Sequence, residues 1–279
     1  MASTRELRRR IRSVKNTSQI TKAMQMVAAT KMRRAQNQAV NGRPYSGNLI
    51  ESLSRLLPRI NPEDHLLLSG DGSQTAGVVV LSTDKGLVGA LNTNIVRSLM
   101  SANFPTKTLF YTIGKKGRSF VARTGKDLKA DFENTDAITF RQAKQLAKLL
   151  IDSFMAGEIG EAYVIYPHFV STLRQEATKV KVLPIEAAEL KISNGEFLIE
   201  PNPDELLDEL LTHFVEIKIY QALLETKASE HSARMIAMKN ATDNAKELIE
   251  DLQLTYNQTR QDAITKEILE IATAAVAME

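Results

Sequence analysis

Apolar side chains recur at spacings of three and four over both ends of the chain, and in a different rhythm between them. From Leu207 the spacing runs through Leu210, Phe214, Ile217, Gln221, Leu224, Ala228, His231, Met235, Met238, Thr242, Ala245, Ile249, Leu252, Tyr256, Thr259 and Ala263. A heptad seam held for about eight heptads predicts a coiled-coil helix. The N-terminal segment carries a weaker seam: Leu7, Ile11, Val14, Ser18, Thr21, Gln25, Ala28, Met32, Ala35 and Ala39. A second apolar row, Ile20, Met24 and Val27, lies beside it. The methionines Met24, Met26, Met32, Met235 and Met238 read as seam filler.

Glycine and proline punctuate this pattern. Neither occurs before Gly42 or after Pro203. The chain therefore divides into an N-terminal coiled-coil helix over 1–57 with a bend expected near 42–44, a linker over 58–75, a central αβ domain over 76–190, a linker over 191–203 and a C-terminal coiled-coil helix over 204–279. Strands are expected at 76–82, 107–113, 128–133, 160–167 and 177–186, with helical patterns between the first four. The clearest of these covers 140–156. The expected fold class is α/β, with a long antiparallel two-helix coiled coil from the chain termini and a central Rossmann-like αβ domain. The last two strands are expected to form a hairpin. A helix over 204–279 is about 114 Å long at 1.5 Å per residue, about 30 Å longer than its N-terminal partner. Its end should project alone. The tip, 271–278, is uncharged all round, as for a helix enclosed on every side.

Composition narrows the chemistry. With no cysteine there are no disulfides, thiolate metal sites or thiol nucleophiles. No apolar run reaches the roughly 20 residues of a membrane span, and MASTRELRRR lacks the apolar segment of a secretory signal. The first 57 residues are strongly basic and the last helix is acidic, so the two ends attract each other or meet separate partners. STDKGLVGALN at 82–92 follows a strand and opens a helix, where phosphate loops sit, but it lacks the Rossmann glycine triplet and the Walker lysine. GKKGR at 114–118 reads as a basic surface turn. The four histidines, His65, His168, His213 and His231, have no metal-ligand spacing. RRRIR at 8–12 running into a coiled coil leaves open a basic nucleic-acid-binding helix, against a solvated charged face or an acidic protein partner.

Two segments carry a more specific signal. RIRSVKNTSQITKAMQMVAATKMRRAQ at 10–36 resembles the N-terminal signature of ATP synthase gamma subunits, and the stretch from Ser229 to Ile271 resembles their C-terminal signature. STDKGLVGALN is similar to the family's turn after the first central strand, with Val88 and Ala90 in place of Cys and Gly. The resemblance implies a central-stalk rotor of a bacterial-type F-type ATP synthase that couples ion flow to ATP synthesis and has no catalytic site, cofactor or metal of its own. It implies alpha and beta subunits, epsilon and the membrane c-ring as partners, no nucleic acid, and a peripheral position on the cytoplasmic face of the inner membrane. It places coupling contacts to the beta subunits at Lys22, Met24, Arg234, Arg260, Gln261, Thr265 and Glu267. Ile271, Val276 and Met278 stand at the bearing tip. Thiol regulation is not expected, because the cysteine-bearing insert of chloroplast members is absent.

Overall fold

The computed structural model describes residues 3–57, 62–70, 72–105, 107–186 and 203–276, without the side chains of 43, 62, 203–205, 275 and 276. Most of the linker expected over 191–203 lies outside these residues, as does Met278. The chain forms two compact units, one of residues 1–28 and 235–279 and one of residues 29–234. Two helices, α1 (Thr4–Leu56) and α6 (Pro203–Val276), contribute to both.

The larger unit is built on a five-stranded sheet in the order β3-β2-β1-β4-β5. The strands are β1 (Ala76–Leu81), β2 (Thr108–Ile113), β3 (Asp127–Phe132), β4 (Glu161–Phe169) and β5 (Gln175–Leu183). All pairings are parallel except β4 with β5, which form the expected hairpin. Between the parallel strands run α3 (Leu91–Ser101), α4 (Lys115–Arg123) and α5 (Phe140–Met155). The short α2 (Leu66–Ser69) precedes β1. Every residue of β1 is buried, the mark of a central strand covered on both faces. Its alternation distributes the two cores. Val79 and Leu81 join the cluster that holds Leu53 and Leu56 of α1, Leu146 and Leu150 of α5, and Phe214 of α6. Val78 and Val80 face the other cluster with Leu91 and Ile95 of α3 and Val121 of α4.

The helix α1 continues through Gly42 and Pro44 without a break. Proline removes one donor and crowds one carbonyl, and here the helix carries on beyond it into Leu49, Leu53 and Leu56, whose burial in the core holds the last turns.

The smaller unit is an antiparallel helix pair. Arg8 meets Tyr256 and Thr21 meets Thr242, so position rises on one helix as it falls on the other. Leu7, Thr21 and Ala28 are buried on α1 with Met238, Thr242 and Ala245 on α6, all of them positions of the two seams. Not every methionine fills a seam: Met26 is 59 % exposed, because it sits off the stripe.

Candidate functional site: the two units of the long helices

In the larger unit, α6 is buried on all sides from Ala222 to Ala233, although much of that stretch is polar. Side-chain partners explain how it can be. Ser229 Oγ donates to the Pro167 carbonyl at 2.7 Å and Ser232 Oγ to the Thr172 carbonyl at 2.6 Å. Ala233 joins Val88 and Ile165 in the core. These residues lie at the carboxyl ends of β1 and β4, where the strand order reverses and open α/β sheets ordinarily take their ligands. Helix α6 packs against these residues.

The turn after β1 is engaged with the basic turn GKKGR at the start of α4. The N–H groups at the start of α4 are taken by the turn after β1: Lys115 donates to Asp84 Oδ1 at 2.9 Å, Lys116 to the Thr83 carbonyl at 3.1 Å and Gly117 to Ser82 Oγ at 2.8 Å. A carboxylate thus occupies the helix N-terminus that an anion would seek. Gly114 is required by this approach. Its φ is +99°, and a Cβ there would lie 2.3 Å from the Ser82 carbonyl oxygen.

Next along α6 stands a buried charge cluster. Arg234 donates to Glu230 Oε1 at 2.8 Å, and Lys227 lies 3.4 Å from Glu230 Oε2. The Lys227 and Glu230 side chains are 5 % and 7 % exposed, so this is an interior ion triad. Burial works to raise the Glu230 carboxyl, but the charge of Lys227, with the hydrogen bond and charge of Arg234, outweighs it and holds the group below the usual carboxylate range. His231 is held down to about 4, chiefly by burial; Glu230 opposes this, while Lys227, Arg234 and Lys31 add to it. His231 is therefore neutral at pH 7. A cavity of about 190 Å³ beside the cluster is lined by Lys31, Arg34, Asp136, Lys227 and His231 among others. The hydrogen bond from Lys31 to Asp136 at 2.7 Å holds that carboxyl below its ordinary value.

The histidines serve α6 as well. His65 Nδ1 meets Asp208 at 2.8 Å, His213 Nδ1 meets Glu216 at 3.1 Å, and His168 Nδ1 meets Glu225. The acidic character of the last helix is thus partly spent inside the larger unit. Among the described residues no group of His, Asp and Glu could hold a metal ion.

In the smaller unit, Lys22 is exposed and Met24 half-buried on α1. On α6, Arg260, Gln261, Thr265 and Glu267 are all exposed. Past Thr259 none of the described residues of the unit covers α6: every residue from Arg260 to Ala274 is exposed, including Ile268, Leu269 and Ile271 at 61 %, 58 % and 66 %. Val276 ends the helix with its side chain outside the described residues. Ile20 and Val27 of the second apolar row are exposed too. Among the described side chains of the residues expected to make contacts, only Arg234 is largely committed within the chain.

The sequence profile of the ATP synthase family matches residues 3–278. The ATP synthase gamma chain of Methylacidiphilum infernorum (isolate V4) is 47 % identical, with 100 % of both chains covered. That of Desulforamulus reducens is 44 % identical, again over 100 % of both. The chain belongs to the ATP synthase gamma-chain family. Among solved structures, a central stalk/c-ring chain of the Tetrahymena thermophila mitochondrial ATP synthase is similar at a TM-score of 0.62 and 27 % identity, covering 80 % of this chain and 99 % of that one. A chain of the Euglena gracilis mitochondrial ATP synthase shares the fold at a TM-score of 0.71 and 23 % identity, covering 99 % of this chain and 94 % of that one. Membership in the gamma-chain family lends nothing to the nucleic-acid reading of RRRIR. What sequence reasoning missed is the interior triad and the serine contacts of α6. The only signal for the triad was Lys227, Glu230 and Arg234 at helical spacings of three and four.

Proposed function

We propose that the chain is the central-stalk rotor of an F-type ATP synthase, turned by a membrane c-ring and turning inside a head of alpha and beta subunits. The observation that carries this reading is the exposure of Ile264, Ile268, Leu269 and Ile271 on the unaccompanied end of α6. A helix so apolar and so uncovered requires a sleeve from another protein. Non-directional apolar contact suits a sleeve in which the helix turns, because one such contact replaces another at little cost.

The asymmetry of a two-helix pair supplies the mechanism. A pair of unequal helices has no threefold symmetry, so three surrounding catalytic sites meet different faces and take different states. Lys22, Met24, Arg260, Gln261, Thr265 and Glu267 are the side chains that touch the beta subunits in this reading. Arg234 acts there through the charge cluster it shares with Glu230. Ile271, Val276 and Met278 form the bearing. The αβ unit meets epsilon and the c-ring, and the chain is peripheral to the bacterial inner membrane through those partners. No described helix is long and apolar enough to cross a membrane. The chain has no catalytic site of its own in this reading; the packing of α6 on β4 and the β4–β5 turn, among the described residues, supports this.

The test is reconstitution. The full chain alone should hydrolyse no ATP, and adding it to purified alpha and beta subunits should raise their turnover. Turnover by the chain alone returns it to the enzymes, and failure to assemble withdraws the rotor reading.

A further inference from the structure

Three parts of the larger unit close on the cavity of about 190 Å³: α1 with Lys31 and Arg34, the segment 136–138 ahead of α5, and α6 with Lys227 and His231. Its floor is apolar and buried, built from Ala35, Ile138 and Leu224. Its walls are charged, and among the described residues positive charge is in excess. Lys31, Arg34 and Lys227 line it beside one carboxylate, Asp136. Next to it a second carboxylate, Glu230, is shared between Lys227 and Arg234. The Lys31 ammonium reaches Asp136 at 2.7 Å, while that of Lys227 lies 3.4 Å from Glu230. The Arg34 guanidinium is exposed and has no partner among the described residues.

His231 adds a neutral donor. The residue is 5 % exposed, and its ring lines the cavity. Its Nδ1 lies 3.5 Å from Arg234 Nη1. A guanidinium only donates, so Nδ1 is the acceptor and the proton of the neutral ring sits on Nε2. That N–H has no partner among the described residues. A donor left without a partner in a nearly buried ring calls for an acceptor. Cations around it favour an acceptor that carries negative charge, and the apolar floor strengthens their pull. Size narrows the class. A dry cavity of 150 Å³ holds benzene, so this one houses a tetrahedral oxyanion with a water or two, and is too small for a nucleotide.

We infer that this cavity binds a small doubly charged oxyanion of the phosphate and sulfate class, held by Arg34 and Lys227 with His231 Nε2 as a third donor. Bound there, the ion bridges α1 and α6 and balances the surplus cations. For an ion of this size affinity falls in the millimolar range. Every residue involved lies within 29–234, so the site stands whether or not the chain turns as a rotor. An anion against the imidazole favours its charged form, so binding draws a proton onto His231 and tightens as pH falls. The charges facing the ring are Lys227, Glu230 and Arg234 of α6, Lys31 of α1 and Asp136 ahead of α5. Both carboxylates lie below their ordinary values and stay ionised from pH 7.5 to 5.5.

Sulfate is the probe, because its charge is constant over that range whereas phosphate takes up a proton. It is titrated into the full chain with chloride exchanged out at constant ionic strength, and the ring C–H resonances of the four histidines are followed by NMR. The resonance absent from His231→Gln is that of His231; the other three are controls. Sulfate should shift it saturably at pH 7.5 and raise its titration midpoint from about 4. Binding should be severalfold tighter at pH 5.5 than at 7.5, a difference that His231→Gln removes. Arg34→Gln, an exposed change that strands no partner among the described residues, should weaken sulfate about fivefold. Asp136→Asn, also exposed, should tighten it about threefold by removing an opposing charge, which a purely structural role would not do. The site is overturned by a His231 resonance that sulfate leaves in place or moves without saturation, by an unchanged midpoint, or by Arg34→Gln binding as the wild type does.

Discussion

The hydroxyls of Thr21 and Thr242 lie 2.7 Å apart, buried between the two helices of the smaller unit. Each threonine has one proton to give. Thr242 Oγ1 also lies 2.8 Å from the Met238 carbonyl and Thr21 Oγ1 3.1 Å from the Ser18 carbonyl, so either hydroxyl can donate to the other while the second donates to its own helix. A buried polar pair among small and apolar seam residues specifies register, because sliding either helix leaves both hydroxyls facing apolar neighbours.

Thr21→Val should therefore cost about 1 kcal/mol, since Thr242 keeps its carbonyl partner. The double variant with Thr242→Val should cost less than the sum of the single ones. Urea unfolding followed by helix content measures both, and strict additivity removes the hydroxyl pair as a unit.

The interior triad predicts a larger effect. Glu230→Gln leaves Lys227 and Arg234 buried with no opposing charge between them, a loss of about 3 kcal/mol. Replacing Arg234 by Met should be milder, because Glu230 retains Lys227. In the assembled complex, loss of coupling on changing Arg234 should be mimicked by Glu230→Gln; a coupling defect confined to Arg234 means that its own contact with a partner matters instead.

His231 makes stability depend on pH. Its folded pKa, about 4, lies below its ordinary 6.5, so between these values the unfolded chain binds more protons than the folded one. Stability therefore falls as pH drops from about 6.5 towards 4, by up to about 3 kcal/mol at the low end. Glu230, whose folded pKa is lowered, adds a further loss in the same direction as pH falls below its unfolded value. His231→Gln should flatten the upper part of the slope. Denaturation midpoints at pH 7, 5.5 and 4.5 read it directly.

Truncation separates the bearing from the fold. Removing 272–279 should leave the thermal transition of the αβ unit unchanged, because the described residues from Arg260 to Ala274 bury nothing there. Assembly with alpha and beta subunits, or the torque delivered to them, should weaken. A truncated chain whose αβ transition is lost contradicts this division.

How far these features could be read from residues alone depends on their range. Burial between two helices is set by local period, so Leu7, Thr21, Ala28 and Ala245 were marked by spacing before any contact was known. Strand β1 was legible for a similar reason, a short unbroken run of β-branched residues. Full enclosure was not. The uncharged tip projects alone as expected, with Ile271 to Ala274 exposed, but nothing in the composition marked the stretch from Ala222 to Ala233, which carries Glu225, Lys227 and Glu230 and is buried all round. Composition reports the partners a helix needs, and those partners are residues such as Pro167 and Thr172, brought near only by the fold. Pro44 is a like case: a local rule weakens the helix there, while the core contacts of Leu49 and Leu53 keep it going.

The serine contacts of α6 have a mechanical meaning. A helix held in its hub by grease alone could spin in place when twisted; Ser229 and Ser232, bonded to the backbone of β4 at Pro167 and of the β4–β5 turn at Thr172, act as keys in a keyway. Torsional load on the αβ unit must shear directional bonds before the helix slips, so hub and axle deliver a twist with little backlash.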